Sequence, residues 1–158
     1  MRIHRGKAAA VALLLLAVMA ATALAVAPKK GAKFKGTASG KVTFTNTFTA
    51  KDPLSFKIAS SGKEITGFTF KDTVCDFAKS PNAPVGTIKI KGGKFSLSNA
   101  RTKQVATLTD SGKAYWVLTV KGNFVSATEA GGTLTYTEHE TTPASSCGPF
   151  KFAFTAKS

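Results

Sequence analysis

The 158-residue chain is short of the residue types that most often carry chemistry. Of its two histidines one, His4, lies at the extreme N-terminus and leaves His139 alone in the rest of the chain, too few for a multi-histidine zinc site. The two cysteines, Cys75 and Cys147, are far from C-x-x-C spacing, which excludes a redox or metal motif of that kind. No G-x-S-x-G elbow accompanies His139, so its neighbouring serines read as ordinary turn residues. Arginine is scarce beyond the N-terminus, where Arg101 is the single example. Because arginine is the better bidentate reader of phosphates and bases, that scarcity argues against specific nucleic-acid recognition. After residue 25 no segment places apolar residues at helical spacing, which argues against an α-helical domain.

What is present begins with Met1–Lys7, which carries Arg2, Arg5 and Lys7, followed by an uncharged apolar run from Ala8 to Ala25. A basic head, an apolar middle and the small residues Ala23 and Ala25 predict a secretory signal peptide over residues 1–25. An uncleaved anchor is the rival reading, since the run approaches the minimum for spanning a bilayer; the alanine-rich ending favours cleavage, which leaves no membrane span. Without Arg2, Arg5 and Lys7 the balance is 19 basic against 8 acidic residues, a net charge of +11. Residues 26–36, Val-Ala-Pro-Lys-Lys-Gly-Ala-Lys-Phe-Lys-Gly, predict a basic, flexible lead-in to one domain over residues 37–158. In an oxidising compartment Cys75 and Cys147 form one disulfide.

Strand grammar fills the rest. Lys41–Thr49 alternates Val42, Phe44 and Phe48 with threonines, and Asp52-Pro53 is expected to break it before a second strand with Leu54, Phe56 and Ile58. Phe68 and Phe70 mark a central strand running toward Cys75, and residues 78–85, with Pro81 and Pro84, predict a loop. Ile88 and Ile90 turn at Gly92-Gly93 into Phe95 and Leu97, a hairpin. A weaker strand is expected over Val105–Thr109, then one with Trp116, Leu118 and Val120 on a shared face. Leu134 and Tyr136 belong to the next; a loop over Thr141–Gly148 is expected before the final Phe150, Phe152, Phe154 strand. Turn signals every 8–12 residues predict an all-β, single-domain antiparallel β-sandwich or barrel stapled by one disulfide.

Several pieces together carry a resemblance: Leu54-Ser55-Phe56-Lys57-Ile58, Phe68-Thr69-Phe70 before Cys75, Ile90-Lys91-Gly92-Gly93-Lys94-Phe95-Ser96, Val120-Lys121-Gly122-Asn123-Phe124, and Cys147 before Phe154-Thr155-Ala156. In this order they resemble a group of small secreted bacterial β-domains of uncharacterised function. The resemblance implies a sandwich or barrel with one bridge and brings no catalytic residue. A tryptophan common near the end of that group is replaced here by Phe154.

No catalytic, cofactor or metal site is expected. The scattered lysines Lys89, Lys91, Lys113 and Lys121 offer solvated positive charge, and Tyr115, opposite in parity to Trp116, is the aromatic expected to be exposed for stacking on a sugar. Glu138 and Glu140 flank His139 on the opposite strand face and are read as a solvated strand end. The leading expectation is a secreted, non-enzymatic β-domain binding an anionic cell-envelope polymer or another extracellular protein. The alternative is a small extracellular glycan hydrolase using carboxylates among Asp72, Asp76, Glu138 and Glu140; an inhibitor or toxin acting through the Pro81–Pro84 loop is a third.

Overall fold

The computed structural model describes residues 26–75, 85–106, 112–141 and 144–158. The expected signal peptide, Asp76 and the Pro81–Pro84 loop lie outside the described residues. The described elements are nine strands: β1 Lys33–Thr43, β2 Thr47–Ile58, β3 Glu64–Phe70, β4 Ile88–Lys91, β5 Lys94–Arg101, β6 Val105–Ala106, β7 Lys113–Ser126, β8 Glu129–Thr141 and β9 Ala144–Lys157. Every pairing is antiparallel.

The sheet closes on itself. Its order runs β5-β4-β3-β2-β1-β9-β8-β7, and β5 also pairs with β7. Of the two expected architectures the pairing makes a barrel, because every long strand has a neighbour on both sides and no edge is left to form a second sheet. The two-residue β6 prolongs the line of β5 along β7: Arg101 faces Val117, the Thr102 N–H donates to the Trp116 carbonyl at 2.9 Å, and Val105 faces Ala114.

Several expected boundaries move. β1 starts at Lys33, inside the stretch expected to be a flexible lead-in, since Phe34 is fully buried against Phe56 at a ring distance of 4.9 Å. Ahead of it, Pro28 is buried and the Lys29 N–H donates to the Ala127 carbonyl. Lys41–Thr49 is a hairpin end rather than one strand: Val42 faces Phe48 across a turn at residues 44–46, which leaves Phe44 and Phe48 exposed instead of in the core. β2 passes straight through Asp52-Pro53. The Pro53 carbonyl accepts the Lys71 N–H, so the position that lacks an N–H faces the segment just past β3, one residue beyond the last ladder pair Leu54–Phe70. Residues 144–148, expected in a loop, already belong to β9. Of the weak strand expected at 105–109, Val105–Ala106 is formed and the remainder lies outside the described residues.

Alternation places one face of each strand inside. β3 keeps both Ile65 and Phe68 inside, three residues apart, by a bulge opposite Phe56 in which Gly67 adopts φ 60°. The interior divides along the barrel axis. One half is phenylalanine: Phe34, Phe56, Phe68, Phe95, Phe124 and Phe154 form a connected set with ring centroids 4.9–6.5 Å apart. The other half mixes Phe70, Trp116 and Phe152 with the buried acids, and there the Cys75–Cys147 disulfide ties the segment after β3 to β9, with Cα atoms 6.1 Å apart. The bridge expected from the sequence is present, and β2 and β1 lie between β3, which leads into Cys75, and β9.

Candidate functional site

Burial separates the charges by sign. Every described lysine and Arg101 is exposed. Four carboxylates, Asp52, Asp72, Glu138 and Glu140, are buried, and no described lysine, arginine or histidine is buried with them. The carboxylates on the outside among the described residues are Glu64 and Glu129, and Glu129 pairs with Lys157 at 3.7 Å. The outer wall therefore presents positive charge with little to offset it.

That charge is concentrated where β4, β5 and β7 meet. The Gly92-Gly93 turn brings Lys91 directly opposite Lys94, while Lys121 on β7 faces Ser96 and Lys89 is two residues from Lys91 on the same side of β4. These four lysines and Ser96 line an open groove of about 540 Å³. Like charges on directly opposed strand positions repel; an anion laid across them relieves that repulsion. Of the expected residues, Lys89, Lys91 and Lys121 come together, and Lys94 joins them. Lys113 does not: it faces Ala106 near the other end of β7, eight residues and roughly 27 Å from Lys121.

Tyr115 is half-buried rather than freely exposed. The Arg101 guanidinium carbon lies 3.6 Å from its ring centroid and the His139 ring stacks beside it at 5.1 Å. The cation–π and stacking partners a sugar or ligand would compete with are thus already in place. Trp116 is fully buried, as its parity predicts.

Glu138 and Glu140 were expected at a solvated strand end, and the structure overturns that. Glu138 and Glu140 share the inward parity of Leu134 and Tyr136, so the strand carries them into the barrel while His139 faces out. Asp72 continues the inward line of Phe68 and Phe70, and Asp52 that of Leu54 and Phe56. The Tyr136 hydroxyl binds both aspartates, 2.9 Å from Asp52 Oδ2 and 2.8 Å from Asp72 Oδ1. Asp72 also accepts the Trp116 Nε1–H at 3.0 Å and the backbone N–H groups of Val74 and Cys75. Asp52 accepts the N–H and hydroxyl of Thr73 at 3.0 and 2.6 Å.

A phenol has one proton to give. The Tyr136 hydroxyl shares that proton between the two carboxyls, unless one of them carries a proton and donates it back to the phenol oxygen. Asp72 is met by three N–H donors and Asp52 by one, so the two carboxyls differ in how fully they are hydrogen-bonded. Burial raises the pKa of Asp52 above its ordinary carboxylate value, against the lowering effect of its Thr73 and Tyr136 hydrogen bonds, and so favours its protonated form. Burial, followed by the two aspartates, raises that of Tyr136 as well, which keeps it a phenol. Acceptor atoms of Asp72 and Glu138 lie within 4.8 Å of one another and of Cys75 Sγ, but that sulfur is spent in the disulfide and has no thiolate to offer a metal. For the hydrolase alternative, Asp72 and Glu138 are close together yet enclosed by the barrel wall, at 6% and 0% exposure.

No family model matches the chain, and no curated protein or solved structure shows significant similarity to it. The resemblance to small secreted bacterial β-domains rests on the ordered sequence pieces alone.

Proposed function

We propose that the protein is a secreted, non-enzymatic β-barrel that binds an anionic polymer at the cell envelope or outside the cell through Lys89, Lys91, Lys94 and Lys121. The observation that carries the reading is the convergence of these four exposed lysines on one groove, with the molecule's described carboxylates mostly turned inward. Lys89 and Lys91 repeat at a two-residue strand spacing of roughly 6.8 Å, which suits a chain of regularly spaced charges better than one small anion. The disulfide supports an oxidising compartment.

The test is binding of the purified barrel to polyphosphate, followed by anisotropy over a salt series. Affinity is expected to fall steadily as salt rises, because exposed charges are screened. Combining Lys91→Gln, Lys94→Gln and Lys121→Gln is expected to weaken it about tenfold. A triple variant that binds as tightly as the parent refutes the assignment of this groove.

A further inference from the structure

A second surface, on another part of the barrel, has a different chemistry. Phe44 and Phe48, at the end of the β1–β2 hairpin, are 55% and 44% exposed. Their rings are 6.4 Å apart, and Phe44 is braced edge-on by Phe150 at 5.9 Å. Phe150 in turn packs on Tyr136 at 5.7 Å and Phe152 at 6.3 Å, so the exposed pair is anchored in the core. Exposed lysines stand directly behind it: Lys41 opposite Thr49, Lys51 opposite Ser39, and Lys151 next to Phe150. The outward carboxylates Glu64 and Glu129 belong to the opposite end, where Glu64 faces Lys89 and Glu129 faces Lys157.

We propose that this hairpin tip docks the protein on an anionic lipid bilayer. Phe44 and Phe48 enter the boundary between headgroups and acyl chains, while Lys41, Lys51 and Lys151 lay their aliphatic stems along it and reach the headgroup phosphates with their ammonium groups. Charge complementarity selects this occupant: lysines with no described outward acid beside them attract an anionic surface, and two rings at a projecting turn need an apolar phase that a hydrated polymer does not provide. The attachment is peripheral, and it is independent of the groove on β4, β5 and β7.

The experiment is sedimentation of the chain lacking residues 1–25, which retains every described strand, with vesicles of phosphatidylglycerol and phosphatidylcholine in equal parts and with phosphatidylcholine alone. Binding is expected to the mixed vesicles and to be about tenfold weaker on the neutral ones. Phe44→Ser with Phe48→Ser is expected to reduce binding to the mixed vesicles at least about tenfold, with an unchanged thermal midpoint. Val125→Ser, which removes an exposed apolar side chain at the opposite end, is expected to leave it unchanged. In a Phe44→Trp variant, the new indole is expected to shift to the blue on vesicle addition and to be quenched by brominated acyl chains. Equal binding by the double serine variant, or a Trp spectrum unmoved by vesicles, overturns the proposal. So does loss of vesicle binding with retention by a soluble protein.

Discussion

At the residue scale the polar part of the interior turns on Asp52, Tyr136 and Asp72, joined through the two hydrogen bonds of the Tyr136 hydroxyl. Asn in place of Asp52 mimics the neutral acid, donating to the Tyr136 oxygen and still accepting from Thr73, so Asp52→Asn is expected to cost under about 1 kcal/mol at a pH below the folded pKa of Asp52. Asp72→Asn removes a charged acceptor from a phenol, an indole and two backbone N–H groups, and about 2–3 kcal/mol is expected to be lost. Urea unfolding of the two variants checks the asymmetry; equal losses would mean that the proton is not held on Asp52. The pH dependence follows from the same placement. Asp52 has a folded pKa above its unfolded value near 3.8, so between the two the folded state holds a proton that the unfolded chain has released. Stability from this group is full below the window and falls as pH rises through it. The parent is expected to lose stability over that window relative to Asp52→Asn, measured as the difference between their urea midpoints across the acid-to-neutral range.

At the element scale β1 keeps the middle of its inner face small, between Phe34 and Val42. Gly36 and Gly40 alternate with Ala38, and a Cβ on Gly36 would collide with the Thr155 carbonyl of β9, while one on Gly40 would overlap the Phe152 ring. Backbone cannot rotate away as a side chain can, so Gly36→Ala is expected to cost about 1–3 kcal/mol, read as a lower urea midpoint with the same slope. Much of this element level was legible. The Gly92-Gly93 hairpin, the Trp116-Leu118-Val120 face and the Phe152-Phe154 strand follow from period and turn chemistry. The β1–β2 turn was not, because Phe-Thr-Asn between two threonine-rich runs continues the same alternation and offers no glycine or proline. Pro53 misled for a related reason: a proline stops a strand only where its N–H is required. The buried acids had a signal in their parity with Leu54, Phe70 and Tyr136, but the cost of burying a carboxylate outweighs that signal until Tyr136, Trp116 and Thr73 are known to meet it. The lysine groove was half legible, since the register that places Lys91 against Lys94 is local, whereas the approach of Lys121 depends on how the barrel closes.

At the scale of the whole molecule, the disulfide and the ring of strands divide the work of closure. The bridge joins residues 72 apart, and replacing both cysteines with alanine is expected to remove about 4 kcal/mol on the chain-entropy account, measured by unfolding under non-reducing conditions. The net charge was readable from composition. The separation of acids inside from bases outside was not, because composition carries no parity. The ring has one further consequence. Around it nearly every strand neighbours the strand before it in the chain, with β6 only prolonging β5, but β1 pairs with β9, so that Lys35 meets Lys157 from near the other end of the sequence. Hairpins can therefore assemble in order during synthesis, yet the seam waits for the last strand to be released. Without β9, β1 and β8 each present an unpaired edge, open to a strand from another copy, which makes Ala144–Lys157 the residues that end this exposure to misassembly.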